Sequence, residues 1–219
     1  MPETPRAARK DRKRSEIVAI ARDMFFKDGY AHTSMSQIAA ALGGSKGTLY
    51  AYFRSKQELL LAVVQDVVTP QPDDYDWSAM PKEFRAWLVW FGAASMKRIT
   101  TYNYLSLQRL AAGEALRFPE IGRTFYDAIA PSYEMASQFF AEAMEAGVLR
   151  RANALHAVHE FLELCAGWTL RRVIWNIQPT PSDAEWEKAA REAAAVFMDG
   201  YAARQQQRTS AKKKTKRRG

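Results

Sequence analysis

Apolar residues recur at every third or fourth position along almost the whole chain, which is the period of an amphipathic helix. No segment of any length alternates apolar and polar residues as a half-buried strand does. The pattern predicts helices over residues 15–28, 34–42, 45–52, 55–68, 82–99, 102–115, 119–146, 154–177 and 183–206. Pro131 is expected to kink or divide the helix over 119–146. We therefore expect an all-α protein.

Two serine signals mark the starts of helices in the first third of the chain. Ser34 is followed three residues later by Gln37, and Ser55 is followed three residues later by Glu58. This is the spacing of a capping box, in which the serine and the longer side chain each satisfy a backbone N–H group at the start of a helix. Both serines are therefore predicted to begin helices.

Residues 33–56 hold two short predicted helices joined by the pair Gly43 and Gly44. Gly43 is able to take the left-handed conformation that ends a helix, and Gly44 is expected to allow a close approach of the backbone. Leu49 and Phe53, four residues apart, are predicted to anchor the second helix to the core. Two short helices across such a turn form a helix-turn-helix, whose second helix enters the major groove of DNA.

The polar residues around this turn are suited to contacts with DNA. Groups at helix ends suit phosphate oxygens, whereas side chains on the exposed face of the second helix reach base edges. The predicted DNA-binding residues are Thr33, Ser34, Gln37, Ser45, Lys46, Gly47, Thr48, Tyr50, Tyr52 and Lys56. The alternative is that these side chains only cap and solubilise two short helices.

The segment GYAHTSMSQIAAALGGSKGTLYAYFRSKQELL, residues 29–60, resembles the signature of the TetR family of bacterial transcriptional regulators. The resemblance implies a three-helix N-terminal DNA-binding domain, a divergent C-terminal helical domain that binds an effector, and a homodimer formed mainly through the last two helices. The residues that it implies on phosphates are Thr33, Ser34, Ser45 and Lys56, and the other predicted residues face the groove. Gly44 departs from the family pattern, in which many relatives carry a small branched apolar residue.

The stretch TPQPDDYDWSAMP, residues 69–81, is the clearest break in the helical pattern, because it is rich in proline and aspartate. The predicted organisation is a basic flexible arm over 1–14, a helix-turn-helix domain over 15–69, a linker over 70–81, an effector-binding and dimerisation domain over 82–206, and a basic disordered tail over 207–219. The helix from Ser55 to about Val68 belongs to both parts, so it is the expected lever between effector and DNA.

Positive charge is concentrated at the two ends of the chain. There are 32 Lys and Arg against 24 Asp and Glu, a formal charge of +8, and residues 6–14 and 212–218 hold six basic side chains each. Basic ends on a nearly neutral body are suited to lie along a polyanion, because each neutralised phosphate releases condensed counterions. Solvated disorder without a partner is the alternative.

The second half of the chain is rich in aromatic residues, most of which helical spacing assigns to the core. Large rings with polar tips also suit the lining of a cavity for a small hydrophobic or aromatic effector. The residues predicted to line this pocket are Trp87, Trp90, Phe91, Tyr104, Tyr126 and Trp168. No other cofactor is expected.

Two further features of one predicted helix favour ordinary structural roles. His156, His159, Glu160 and Glu163 share a face at metal-ligand spacing, but no complementary set occurs on a neighbouring helix, so a solvated polar face is favoured and no metal is expected. Cys165, the single cysteine, is expected to be buried, and the small residues that follow it suit a close helix contact such as a dimer interface.

The remaining features exclude several classes of protein. A single cysteine rules out an intramolecular disulfide, no segment has the roughly 18 uncharged apolar residues of a membrane span, and no nucleophile with a paired base, phosphate loop or acid pair is visible. We expect a cytoplasmic homodimeric repressor, not an enzyme, that binds a pseudo-palindromic operator in double-stranded DNA and is released by a small effector. The alternatives are a sequence-tolerant DNA-coating protein and an enzyme that uses the aromatic cavity.

Overall fold

A computed structural model describes residues 5–69 and 76–203. The helices in these residues are α1 (Pro5–Asp28), α2 (Met35–Ala41), α3 (Lys46–Tyr50), α4 (Lys56–Val68), α5 (Phe84–Ile99), α6 (Tyr102–Glu114), α7 (Pro119–Glu145), α8 (Ala154–Ile174) and α9 (Asp183–Tyr201), with a 3₁₀ turn at Trp77–Ala79. The all-α prediction is confirmed. None of the helices described has an apolar stretch long enough to span a bilayer.

Most predicted helix ends lie within a few residues of the observed ones, and the exceptions have local causes. α8 ends at Ile174 rather than at residue 177, and Asn176 just beyond it has a left-handed φ of 58°. α7 continues through Pro131, so the proline does not divide this helix. Gly167 interrupts α8 with φ 48° and ψ −151°, a break that the apolar pattern does not indicate.

α1 begins at Pro5 rather than at Ser15. Residues 5–14, predicted as a flexible arm, are helical and continuous with the segment that enters the core. Alanine, arginine and lysine are good helix formers, and Lys13 Nζ pairs with Glu16 Oε2 at 3.0 Å one turn later. Local propensity therefore extends the helix. The predicted basic tail over 207–219 lies outside the described residues.

The chain packs as two compact units. Within the described residues, the first contains 5–69 and 98–131, and the second contains 76–97 and 132–203. This division differs from the predicted domain boundary because α6 groups with the helix-turn-helix region. Tyr104 and Leu107 of α6 are buried in the same hydrophobic core as α1 and α4.

The core of the first unit fixes the position of the helix-turn-helix. Ile17 and Phe25 of α1 are fully buried with Ile38 of α2. Leu49 and Phe53 are 0% and 1% exposed, which confirms them as the anchors of α3 and of the turn that follows it. Each fully buried side chain of this size contributes about 1.5–3 kcal/mol, so burial rather than helix propensity holds these short helices.

The second unit has a close contact at Gly92 of α5. A Cβ at this position would lie 2.8 Å from Cys165 Sγ and 3.2 Å from Ala190 Cβ, so only glycine fits without a shift. Cys165 itself thus contacts α5 of the same chain, whereas a Cβ on Gly167, one of the small residues that follow it, would meet nothing within 4 Å. Burial raises the pKa of the Cys165 thiol to about 12, so the thiol lacks the thiolate character of a redox sensor.

Candidate nucleic-acid interface

The turn between α2 and α3 depends on one of its two glycines. Gly43 has a φ of 67°, a left-handed conformation that costs other residues about 1–2 kcal/mol. A Cβ on Gly44 would lie 3.8 Å from Leu42 Cδ2 and 3.9 Å from Thr48 Cβ, which are ordinary contacts. The predicted close approach at Gly44 is therefore not observed, and the turn has room for a methyl group there.

Ser34 and Gln37 form the predicted capping box at the start of α2. Ser34 Oγ accepts from the Gln37 N–H at 3.3 Å, and Gln37 Oε1 accepts from the Ser34 N–H at 2.8 Å and from Ser34 Oγ at 2.7 Å. The side-chain oxygen of Gln37 is thereby used within the cap. Only its NH₂ group is left to donate to a partner outside the protein.

Serine caps also begin α3 and α4. Ser45 Oγ accepts from the Thr48 N–H at 3.1 Å and lies 3.1 Å from Thr48 Oγ1. Ser55 Oγ accepts from the Glu58 N–H at 3.1 Å. The second predicted capping box is incomplete, because the Glu58 carboxylate accepts from the Arg54 N–H at 2.7 Å instead of from Ser55.

Nearly all residues of α3 are exposed to solvent, and most of them are polar or glycine. Leu49 is its single buried residue, and Lys46, Gly47 and Thr48 are exposed. Tyr50, an aromatic residue, is 48% exposed. A Cβ on Gly47 would meet only Ser45 Oγ, at 3.6 Å, so the fold does not require a glycine here. Because glycine within a helix costs about 0.5–1 kcal/mol relative to alanine, its presence is unexplained by folding.

Two residues predicted on phosphates are used inside the fold instead. Thr33 is 2% exposed, and its hydroxyl donates to the carbonyl of Gly29 at 2.9 Å. Lys56 Nζ donates to the carbonyl of Tyr30 at 2.7 Å and to that of Thr33 at 3.0 Å. The two Lys56 bonds join the start of α4 to the turn before α2. They supply donors to loop carbonyls that have no helical partner.

The surroundings of Lys56 make it a structural cation. Its ammonium lies 4.1 Å from the centre of the Tyr30 ring, and burial lowers the pKa of Lys56, while Glu114 acts in the opposite direction. Glu114 also accepts from the Ala31 N–H at 3.2 Å. α6 and α4 therefore hold the same turn from two sides. Tyr52, by contrast, is half-buried beside the N-terminal part of α1.

The aromatic residues predicted to line an effector pocket are divided between the two compact units. Trp87 and Phe91 stack with ring centres 4.9 Å apart in the second unit, where Trp90 is half-buried. Trp168 is 61% exposed and contacts Trp175. Tyr104 and Tyr126 belong to the first unit, where Tyr104 is buried against Phe125 and Tyr126 is 61% exposed.

A groove of about 560 Å³ lies in the second unit between the start of α5 and the end of α7. Its aromatic lining is Phe84, Trp87 and Phe139, and Lys82 and Glu142 are among its polar residues. The indole N–H of Trp87 is buried and has no hydrogen-bond partner within the described residues. Of the predicted pocket residues, the groove includes Trp87 alone.

The polar face of α8 is engaged in contacts with other side chains. His156 Nε2 lies 3.1 Å from Glu160 Oε1, the Tyr201 hydroxyl donates to Glu160 Oε2, and His159 contacts the Tyr133 ring edge-on. The described part of the chain holds no group of three or more His, Cys, Asp or Glu side chains arranged for a metal ion.

Two family comparisons cover most of the chain. Residues 17–63 match the bacterial regulatory proteins of the tetR family, and residues 86–203 match the C-terminal domain of AefR-like transcriptional repressors. The second match alone spans more than half of the chain.

Curated relatives are similar over about a quarter of this chain. The HTH-type transcriptional activator FasR of Mycolicibacterium smegmatis is 41% identical over 56 residues, 26% of this chain and 26% of FasR. An HTH-type transcriptional regulator of Staphylococcus aureus is 42% identical over 59 residues, 26% of this chain and 32% of that protein. The chain thus matches about a quarter to a third of the length of these relatives.

Solved structures are similar over nearly the whole fold. The flavonoid-responsive regulator FrrA is 26% identical with a TM-score of 0.76, over 89% of this chain and 99% of FrrA. A TetR-family regulator of Mesorhizobium loti is 23% identical with a TM-score of 0.73, over 91% of this chain and 100% of that chain, and it shows the shared fold.

Replacing Lys56 by alanine should lower the free energy of unfolding by about 2 kcal/mol, because two loop carbonyls are then left without a charged donor. Lys46→Ala is the matched control, since Lys46 is exposed and its removal should change stability by less than about 0.5 kcal/mol. Urea unfolding followed by circular dichroism measures both values. Equal stability of the two variants would show that Lys56 is a solvent-facing residue.

Proposed function

The chain belongs to the TetR family of bacterial regulatory proteins, and from this premise we propose that it is a ligand-released repressor that binds a pseudo-palindromic operator as a homodimer. It is a DNA-binding transcriptional regulator in its general function. The observation that carries the operator-binding part of this proposal is the surface of α3, where the residues from Lys46 to Tyr50 face solvent around one buried leucine.

Gly47 is the most informative residue of this surface. The fold has space for a side chain at this position, so the glycine is explained by something that approaches the helix from outside. Bases in the major groove lie close to the backbone of a recognition helix, and a methyl group would hold them away. Lys46 and Tyr50, which flank Gly47, are then the residues that reach base edges and phosphates.

Gly47→Ala should raise the free energy of unfolding by about 0.5–1 kcal/mol and weaken operator binding at least about tenfold. Gly113→Ala is the matched control, because Gly113 is exposed on α6 and a Cβ there meets nothing within 4 Å. The operator is first selected from genomic fragments with the wild-type protein, and Kd is then measured by fluorescence anisotropy.

An unchanged Kd for Gly47→Ala would contradict the assignment of α3 as the reading helix. A wild-type protein that prefers no sequence by roughly a thousandfold over random DNA would favour the coating alternative instead. The direction of regulation is read separately from a reporter gene under the selected operator, since the relative FasR is an activator.

The homodimer is proposed to form through α8 and α9. These helices pack together within one chain and still expose Leu164, Trp168 and Val196 by 42%, 61% and 59%. Apolar side chains of this size on adjacent helices are typical of a surface that a second subunit covers. A two-fold symmetric dimer has two copies of α3, one for each half-site of the operator. Half-sites of this kind lie about 34 Å, or a multiple of that distance, apart.

Val196→Glu should convert the dimer to a monomer at micromolar concentration, because the interface would bury an unpaired carboxylate. Leu116→Glu is the control, since Leu116 is 94% exposed and belongs to the first unit. Sedimentation velocity distinguishes the two species. A Val196→Glu protein that sediments as the wild-type dimer would place the interface elsewhere.

The effector is proposed to be a flat hydrophobic or aromatic molecule that binds the groove beside Trp87. Trp87 stacks on Phe139 with ring centres 4.9 Å apart, and a flat ring suits a groove with this aromatic lining. The similar regulator FrrA is described as flavonoid-responsive, which agrees with this ligand class.

Release of DNA requires that the effector favours a conformation in which the reading helices are differently placed. The predicted lever, α4, lies wholly in the first unit. The helices that line the groove are better placed by connectivity, because α5 and α7 each have residues in both units. The division falls at residues 97–98 in α5 and at residues 131–132 in α7. Arg98 at the end of α5 donates to the carbonyl of Val68 at the end of α4.

Flavone is expected to quench tryptophan fluorescence and to lower operator affinity by about 5- to 150-fold. Phe139→Ala should weaken both effects, whereas Tyr126→Ala, a change in an exposed residue of the first unit that is predicted from the sequence to line the pocket, should leave them unchanged. Identical operator affinity with and without a bound effector would contradict ligand release. Sensitivity of flavone binding to Tyr126→Ala alone would exclude the groove.

A further inference from the structure

We propose that the N-terminal three turns of α1 form a helical clamp for DNA backbone phosphates outside the bases that α3 reads. This inference rests on the proposed function and adds a second contact surface to it. The helical residues from Pro5 to Glu16 precede Ile17, which is buried, and residues 9–12 and 14–16 are exposed. At 1.5 Å per residue the exposed part extends about 12–15 Å from the core.

The basic side chains of this extension line a cavity beside the reading helix. The cavity, about 620 Å³, is bounded by Arg9, Lys10, Arg12, Lys13, Glu16 and Tyr52. Tyr52 comes two residues after the end of α3, so the cavity adjoins the predicted DNA-binding surface. The positive charge of the cavity and its position beside α3 both favour DNA phosphates as its ligand, since DNA bound along α3 has phosphates next to these groups.

Three of the four basic groups remain available for that partner. Lys13 is paired with Glu16 at 3.0 Å. Arg9, Lys10 and Arg12 are exposed and make no ion pair with any residue that the structure describes. Guanidinium groups bind phosphate oxygens in a bidentate manner, so Arg9 and Arg12 together with Lys10 suit a run of backbone phosphates. Asp11, the acidic residue among them, does not line the cavity.

Arg14 fixes the extension relative to α3. Its guanidinium lies 5.0 Å from the centre of the ring of Phe53, a residue that is buried directly after Tyr52. The stacking therefore ties the extension to the end of the helix-turn-helix, in addition to the backbone of α1 itself. The helix that carries the basic groups is therefore positioned before DNA binds, and only their side chains remain to be ordered on binding.

The helical form also decides which part of DNA the extension contacts. A helix with its side chains is about 10–12 Å across, whereas the minor groove of B-DNA is about 6 Å wide. The extension therefore contacts phosphates from outside and does not enter the minor groove. Contacts of this kind strengthen binding to every sequence and carry no base preference.

The test separates the charges from the helix that holds them. In one variant Arg9, Lys10 and Arg12 are all replaced by alanine. In the second, Ser15→Pro, every charge is kept, but the proline removes the hydrogen bond to the carbonyl of residue 11. Proline is tolerated as the first residue of the shortened helix that begins there. Ser15→Ala is the matched control, and circular dichroism of each variant confirms that the rest of the protein is folded.

Binding is measured between about 50 and 200 mM salt on the selected operator and on a random duplex of the same length. The clamp predicts that the triple variant lowers the slope of log K against log salt by about 0.9 for each phosphate that is no longer neutralised, equally on both duplexes. It also predicts that Ser15→Pro weakens binding to both, whereas Ser15→Ala does not.

Three results would overturn the clamp: an unchanged slope in the triple variant, wild-type affinity of Ser15→Pro, or a changed sequence preference in the triple variant. The second would mean that the charges act as a flexible arm, and the third that the extension reads bases. Failure of the proposed function is recognised separately. A wild-type protein that prefers no operator would contradict the proposed function, but the salt dependence of its binding to the random duplex would still test the clamp.

Discussion

The arrangement of α2 and α3 depends on the ammonium group of Lys56. It bonds the carbonyls of Tyr30 and Thr33 and lies against the Tyr30 ring, so the start of α4 holds the turn that leads into α2. Glu114 of α6 holds the next residue of that turn through the Ala31 N–H. Because α2 and α3 are only seven and five residues long, they are not stable alone, and these contacts with the apolar core set their position.

Local features of the sequence predict most of this fold, and contacts between distant residues account for the rest. The capping box at Ser34 and the left-handed turn at Gly43 follow from spacing and residue type, and both are observed. The internal role of Lys56 does not follow from spacing, because its partners lie 23 and 26 residues away. The Glu114 contact spans 83 residues. A lysine and a threonine beside a helix-turn-helix therefore resemble phosphate ligands until their neighbours are known.

The same limitation applies to the glycines and to the aromatic residues. Gly92 is required by Cys165 of α8 and Ala190 of α9, whereas Gly47 is not required by any neighbour, and sequence alone gives no sign of this difference. Trp87 and Tyr126 are predicted to line one pocket because they are large rings with polar tips, and they belong to different compact units. The basic residues before Ser15 show the opposite error, since their charge predicts a flexible arm although their high helix propensity is visible in the sequence.

The central claim is that α3 of each subunit reads the major groove of one half-site. Methylation interference on the selected operator tests it most directly, because dimethyl sulfate modifies guanine N7 in the major groove and adenine N3 in the minor groove. We predict that guanine N7 methylation blocks binding at two clusters about one helical turn, or a multiple, apart. Interference at adenine N3 alone, or at no position, would contradict the claim.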